Sequence, residues 1–301
     1  MTDPTLLEIV RSKIDKTVKY VFLSKGQVIE FSFIDKSDGK DIICVPTQTG
    51  CKLGCKFCFL SDCPDLEVRN LDSEEIAFGV NYVIEDLGLL RKPNRNNILL
   101  VSYMGCGEPL YNLDGVIGSC IKIRNEHSPK YEVVRFAVSS LIPELGLMRK
   151  FTNLVKENNL RMKFHFSLHS PDAGIRHAIM PAAQGITASL ILVDIFMTHT
   201  GNSAEIHYSL IKGVNDRDED LESLIKLLSS GRIPIKFLVY NKKPSVNLKP
   251  SKDRRVEKFR RRLEAAGIST EYYHPPGSDI GSSCGQFLMQ YYQKYSKPKS
   301  Q

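Results

Sequence analysis

The sequence predicts an α/β fold, a partial (β/α)6 TIM-like barrel preceded by a short N-terminal extension of one helix and a β-hairpin. Three observations predict it. Six apolar strand-like runs alternate with six amphipathic helical stretches, and such alternation builds a parallel sheet because parallel neighbours need a crossover connection. Six units are too few to close the usual eight-stranded barrel, so the barrel stays open. The residues with chemical potential fall mostly at the C-terminal ends of the strand-like runs, where such folds place their ligand sites.

The elements follow in chain order. A helix is expected to about Lys16, then strand-like runs at 18–23 and 27–34 joined by Ser24-Lys25-Gly26 as a hairpin. The six strands of the repeating units are expected at 42–45, 97–103, 132–138, 161–167, 205–210 and 233–240. Between them the apolar spacing predicts helices at 73–89, 113–126, 143–157, 187–200, 218–228 and 252–266. Asp72 before Ser-Glu-Glu is a plausible helix start, and Gly267 a plausible stop. A further strand-like run, 269–274, leads into the Gly/Ser-rich loop 275–285. The domain reading is an extension over 1–40, a core barrel with its C-terminal cysteine loop over 41–290, and a flexible tail over 291–301.

Composition removes several classes. With 301 residues, 42% hydrophobic and 25% charged, the chain is no disordered tail, collagen-like repeat or small disulfide scaffold. No apolar run approaches the ~18–20 residues of a membrane span, and the N-terminus lacks the apolar region of a signal peptide. A cytoplasmic protein, without membrane contact and monomeric, is expected. The charge is a mild +7, which permits a nucleic-acid partner without requiring one. Residues 249–262 hold eight Lys and Arg against Asp253 and Glu257. Two readings stay open for them: phosphate contact, or the solvated face of a helix that buries Val256, Phe259 and Leu263.

The eight cysteines carry most information. Cys51, Cys55 and Cys58 stand as CxxxCxxC in CKLGCKFC, directly after a predicted strand. Three thiolates suit an iron–sulfur cluster with one open iron better than structural zinc, which usually takes four ligands in paired CxxC form. Phe57 between them could cover such a cluster. Cys63, Cys106 and Cys120 fit the ordinary role of buried cysteines. Cys284, in a Gly/Ser loop, has no core to fill.

With its aromatic before the third cysteine, this motif resembles that of the radical S-adenosylmethionine superfamily. Within it, residues 27–287 resemble the RNA adenine methyltransferases of the RlmN/Cfr type. Gly105-Cys106-Gly107-Glu108-Pro109 followed by Leu110-Tyr111-Asn112-Leu113 is similar to the family's GMGEPLxNL. Ser167-Leu168-His169 with Pro171, Arg176 and Pro181 is similar to its SLHAPxxxxRxxxxP, and Val214-Asn215-Asp216 to its VND turn. Asn241 stands where the family has the Asn of PWN, and 277–286 resembles GxDIxAACGQ. Two stretches depart from the pattern: Ala137-Val138-Ser139-Ser140 replaces STSG, and Cys106 replaces the Met of GMG. Roughly seventy fewer residues precede Cys44 than in family members, so the family's N-terminal RNA grip is not expected here.

The resemblance implies a chemistry. A [4Fe–4S] cluster on Cys51, Cys55 and Cys58 binds S-adenosylmethionine, and two molecules of the latter are used per turnover. Gly107, Glu108, Pro109, Ser139, Ser167, Leu168, His169 and Asn241 line the cofactor, with Glu108 receiving its amino group. Cys284 takes a methyl group, since adenine C2 and C8 have no nucleophilic character of their own while a thiolate has. A deoxyadenosyl radical then removes hydrogen from the S-methyl group, the carbon radical adds to the base, and Glu30 is the proton acceptor. Cys44 attacks Cys284 to release the product, leaving a disulfide for reduction. Ribosomal or transfer RNA is the implied substrate, with the base unstacked to reach the site, and flavodoxin or ferredoxin the implied electron donor. Three alternatives stay open: the same chemistry on a non-RNA heteroaromatic, a hydrogen-abstracting activase, and a non-catalytic iron–sulfur RNA-binding protein. The activase gives no role to Cys44 and Cys284, and the non-catalytic protein needs neither Glu108 nor Cys284. For Glu30, which matches the family's proton acceptor only with one residue gapped between it and Cys44, the alternative is a solvent-facing strand residue.

Overall fold

The computed structural model describes residues 3–35, 39–63, 66–91, 97–243, 245–288 and 290–291. The tail expected to be flexible lies almost wholly outside them. The chain divides into two units. The first comprises residues 1–52, 59–138 and 276–301, the second 53–58 and 139–275.

In the first unit β1 (Thr5–Arg11), β2 (Val18–Ser24), β3 (Gln27–Ile34) and β4 (Lys40–Cys44) form an antiparallel meander. The β2–β3 turn places Lys25 and Gly26 at φ 50° and 79°, both left-handed, which twists the two strands together. After β4 the pairing turns parallel, through β5 (Ile98–Tyr103) and β6 (Val133–Ser140). The crossovers are α1 (Ser73–Asp86) and α2 (Leu113–His127). The expected start of α1 is there: Asp72 accepts from the backbone of Glu75, whose carboxylate reaches back to Asp72, and Arg69 grips that carboxylate with two bonds of 2.7 Å.

The second unit contains α3 (Leu145–Glu157), β7 (Met162–Ser167), α4 (Ala173–Ile179) and α5 (Ile186–Thr200). It continues with β8 (Ser203–Ser209), α6 (Asp218–Leu227), β9 (Ile235–Leu238), α7 (Asp253–Ala265) and β10 (Thr270–Tyr273). Strands β7 to β10 pair in parallel, in chain order. Val256, Phe259 and Leu263 are buried as the stripe predicted, and Gly267 closes α7 at φ 80°.

One element differs in kind. The segment expected as a helix to about Lys16 is strand β1, paired with β2. The register slips between Leu6 and Glu8, so the apolar residues Leu6, Leu7, Ile9 and Val10 lose strict alternation and mimic helical spacing. The extension is therefore a three-stranded antiparallel sheet rather than a helix and hairpin. The short α4, between β7 and α5, was not expected.

Candidate active site

In the first unit the segment after β4 is stitched to the Gly105–Pro109 loop after β5. Thr47 and Gln48 donate their backbone N–H groups to the Cys106 carbonyl at 2.8 and 3.2 Å, and Gly105 donates to Val45 at 3.1 Å. Both glycines are required. A Cβ at Gly105 would lie 2.7 Å from the Val45 carbonyl oxygen, and one at Gly107 (φ 104°) 2.6 Å from Thr47 Oγ1 and 2.7 Å from the Gln48 nitrogen. Buried Glu108 donates its N–H to Gln48 Oε1 at 2.8 Å, and its Oε1 accepts from Leu110 at 3.0 Å, capping the short helix begun by Pro109. This fixes a carboxylate beside a backbone loop kept free of side chains, which suits recognition of an ammonium group. Gln48 and Asn112, which ties Thr47 to Leu71 with two 2.7 Å bonds, escaped the sequence reading as contributors. Asn112 had been visible only as part of a motif.

Cys44 ends β4, buried, and pairs in register with Ser32 of β3. Ser32 Oγ donates to Ser282 Oγ at 3.0 Å, two residues before exposed Cys284. Burial, and then the charge of Cys284, push the Cys44 thiol up to about 12, so Cys44 stays protonated near neutral pH and Cys284 is the thiol open to solvent. The implied disulfide is absent: both cysteines are in the thiol form. Glu30 is fully buried, not solvent-facing. Its carboxylate lies 3.5 Å from Lys19 Nζ and accepts from the Leu288 N–H at 2.8 Å, and desolvation raises its pKa.

The boundary between units falls inside the cysteine motif, with Cys51 in the first unit and Cys55 and Cys58 in the second. All three are half-buried thiols. The Cys58 N–H donates to the Cys55 carbonyl at 3.0 Å, Lys56 N–H to Ile179 at 2.9 Å, and Lys243 Nζ to the Cys58 carbonyl at 3.3 Å. Three thiols within one short stretch of irregular backbone are a donor set that fits iron–sulfur ligation.

Also in the second unit, the Phe57 ring lies 4.9 Å from that of His169. His169 has φ 52°; its Nδ1 accepts from the Ser209 N–H at 2.9 Å, which leaves the proton on Nε2. Burial, with His207 and Arg176 nearby, depresses its pKa to about 3, so the ring is neutral. Asn215 donates to the His169 and Ser209 carbonyls, giving the VND turn a physical role. Ser139 Oγ and Ser167 Oγ are 3.3 Å apart, Leu168 is buried, and Asn241 follows β9 half-buried. Arg176 organises these strand ends. Its guanidinium donates to the carbonyls of Leu168, Gln184, Leu141 and Ser167 at 3.1, 2.6, 3.1 and 3.1 Å and stacks 5.2 Å over Phe166.

A buried cluster on β7 and β8 was not anticipated. Glu205 Oε1 lies 3.1 Å from His165 Nδ1 and 3.3 Å from His207 Nε2, whose nitrogens are 2.7 Å apart. These are metal-ligand types, but Lys236 sits 2.7 Å from the same oxygen and Lys163 binds the other. The two ammonium groups already balance the carboxylate, and a divalent cation would face both. The cluster reads as a self-compensated polar core. Its only signal in the sequence was period-two spacing of polar residues in otherwise apolar strands.

No family model matches the chain. Among curated relatives, a probable dual-specificity RNA methyltransferase RlmN of Clostridium novyi is 33% identical over 96% of this chain and 80% of its own length. One of Thermotoga neapolitana is 32% identical over 97% and 81%, and the dual-specificity RNA methyltransferase RlmN of Syntrophobacter fumaroxidans 31% over 92% and 78%. The crystal structure of a radical SAM methyltransferase from Sphaerobacter thermophilus superposes with a TM-score of 0.82 at 24% identity, covering 95% of this chain and 81% of that one. That likeness bears out the fold expected from the βα alternation, a partial TIM-like barrel. No helix among the described residues is long and apolar enough to cross a membrane.

Proposed function

Because the chain belongs to the RlmN family of dual-specificity RNA methyltransferases, we propose that it methylates C2 or C8 of an adenosine in ribosomal or transfer RNA by way of S-methylated Cys284. The observation that carries this reading is the presence of two lone cysteines in the first unit, Cys44 at the end of β4 and Cys284 in a loop whose Ser282 meets Ser32, the register partner of Cys44. Burial, and then the charge of Cys284, raise the pKa of Cys44, whereas Cys284 itself is exposed. A [4Fe–4S] cluster on Cys51, Cys55 and Cys58, with S-adenosylmethionine, would supply the electron, the radical and the methyl group. The chain's own groups do the rest. Glu108 receives the cofactor's ammonium beside Gly107 and Pro109; Ser139, Ser167, neutral His169 and Asn241 offer hydrogen bonds to its polar groups, and Leu168 an apolar wall. Cys284 accepts the methyl, and protonated Cys44 cannot compete for it. Glu30 accepts the ring proton, and Cys44 acts last, to free the base from Cys284. On this reading the enzyme is a cytoplasmic monomer served by flavodoxin or ferredoxin.

Within the basic run 249–262 we assign RNA contact to exposed lysines rather than to the ion-paired residues of α7. On α7, Arg255 and Lys258 pair with Asp218, Arg260 and Arg261 with Glu257, and Arg262 with Glu222. By contrast Lys56, Lys212, Lys242, Lys249 and Lys252 are exposed with no acidic partner among the described residues. Lys56 lies within the cysteine motif, the others follow the C-terminal ends of β8 and β9, and Lys212 N–H bonds the Lys249 carbonyl at 2.8 Å. Changing Lys212, Lys242, Lys249 and Lys252 to Gln should flatten the salt dependence of RNA binding by roughly 0.7–0.9 for each phosphate that is no longer neutralised. An unchanged slope would exclude this surface. Incubation of reconstituted protein with RNA fragments and mass spectrometry of the nucleosides tests the activity itself: methyladenosine is expected, and its absence with S-methyl-Cys284 present would point to a non-RNA heteroaromatic.

A further inference from the structure

The loop that carries Cys284 is held by the β1–β2 turn and by β2 and β3 of the N-terminal sheet. The Gly277 N–H donates to Asp15 Oδ2 at 2.7 Å, Asp279 accepts from Ser12 Oγ and Lys13 N–H at 2.8 Å each, and Ser282 meets Ser32. Past Cys284 the grip is of another kind. Glu30, wholly buried on β3, gives one carboxylate oxygen to the Leu288 N–H at 2.8 Å and holds the other 3.5 Å from buried Lys19, which also reaches Gln290 Oε1 at 3.3 Å. Leu288 has φ 64°, a conformation an L-residue with a branched side chain adopts only when its surroundings impose it. A buried ion pair is a costly way to build a sheet, since apolar residues of the same size stabilise it as well or better. Its geometry here has one evident consequence, fixing the backbone at the far end of the cysteine loop.

We propose that Glu30, besides accepting the ring proton, positions this loop: held by Lys19, its carboxylate latches Leu288 and so holds Cys284 where it takes the methyl group. This deepens the reading of Cys284 as methyl acceptor and rests on it, and it gives the extension a task in the reaction besides packing. Glu30 and Ser32 share one face of β3, and Ser32 is the register partner of Cys44. The strand that faces the resolving cysteine thereby also grips the loop of the methylated one, before and after Cys284.

Hydrogen exchange of the peptide spanning 277–291 tests the latch in the full-length reconstituted protein. Glu30→Gln keeps a carbonyl oxygen for the Leu288 N–H and should hold the protection, whereas Glu30→Ala should speed exchange about tenfold or more, the loss of one hydrogen bond to a charged acceptor. Because Glu30→Ala strands Lys19 in the interior, the double variant Lys19→Met/Glu30→Leu, which buries no charge, is measured beside it; it should lose protection equally while retaining iron content and thermal stability. Unchanged exchange in both variants would overturn the latch. If wild type carries no S-methyl group on Cys284, the reading beneath it fails, whatever the exchange shows. If exchange rises while S-methylation of Cys284 in the double variant stays at the wild-type level, the latch does not position that thiol and the proposal is wrong.

Discussion

Replacing Arg176 by Met keeps most of the side-chain volume and removes a guanidinium that serves four backbone carbonyls at once. A hydrogen bond from a charged donor contributes about 1.5–3 kcal/mol, so the gross loss is roughly 6–12 kcal/mol. Against this stands relief from desolvation, which is large enough here to pull the guanidinium down to about 10, together with relaxation of the half-buried loop at Gln184. The expected net cost is about 3–5 kcal/mol, that of removing one partner from a buried charged network. That is a large share of the roughly 5–15 kcal/mol a domain holds. Arg176→Lys keeps the charge without the planar fork and should recover roughly half of it. Denaturant midpoints of the reconstituted protein measure the cost, and S-adenosylmethionine binding follows the strand ends that carry Leu141, Ser167 and Leu168. A destabilisation below about 1 kcal/mol in Arg176→Met would refute the view that this side chain organises the site.

Gly107→Ala should cost about 2–4 kcal/mol, from positive φ and from overlap with Thr47 and Gln48, and should weaken cofactor binding more than Gly26→Ala, which meets nothing within 4 Å; calorimetric binding compares the two. Acid should destabilise the protein early. His165 and His169 are held neutral, each down to about 3, so below about 6.5 the unfolded chain binds more protons and stability falls with pH by roughly 1.4 kcal/mol per unit for each histidine. Denaturant midpoints at pH 6.5 and 5 check this, and equal values would contradict the burial of neutral rings. Cys55→Ala should abolish iron incorporation on anaerobic reconstitution; stoichiometric zinc in the wild type would remove the radical chemistry.

The periodicities that decide the fold are local, and they located every strand and helix of the repeating units to within a few residues. β1 was misread because a register slip at Leu7 broke the alternation, and α4 because seven residues show too little period. At the site, the cysteine motif stands out by its spacing, while the two glycines and Glu108 were legible only through the family resemblance. Positioning residues were not, because Gln48, Lys19 and the lysine-balanced Glu205 depend on which strands become neighbours, something periodicity does not encode. Glu30 illustrates the limit. The resemblance implied a proton acceptor and the strand pattern a surface residue, and only its burial beside Lys19 and Leu288 shows what it holds. The charge run on α7 left two readings open for the same reason, since its acidic partners Asp218 and Glu222 lie some forty positions away.

The central claim is that Cys284 carries the methyl group to RNA and Cys44 releases the product. Denaturing electrophoresis of Cys44→Ala after turnover with labelled RNA tests it most directly. The account predicts an RNA-bearing protein band that persists on denaturation and is absent from the Cys44→Ala/Cys284→Ala double variant. No such band in Cys44→Ala, with an RNA that the wild type methylates, would contradict it.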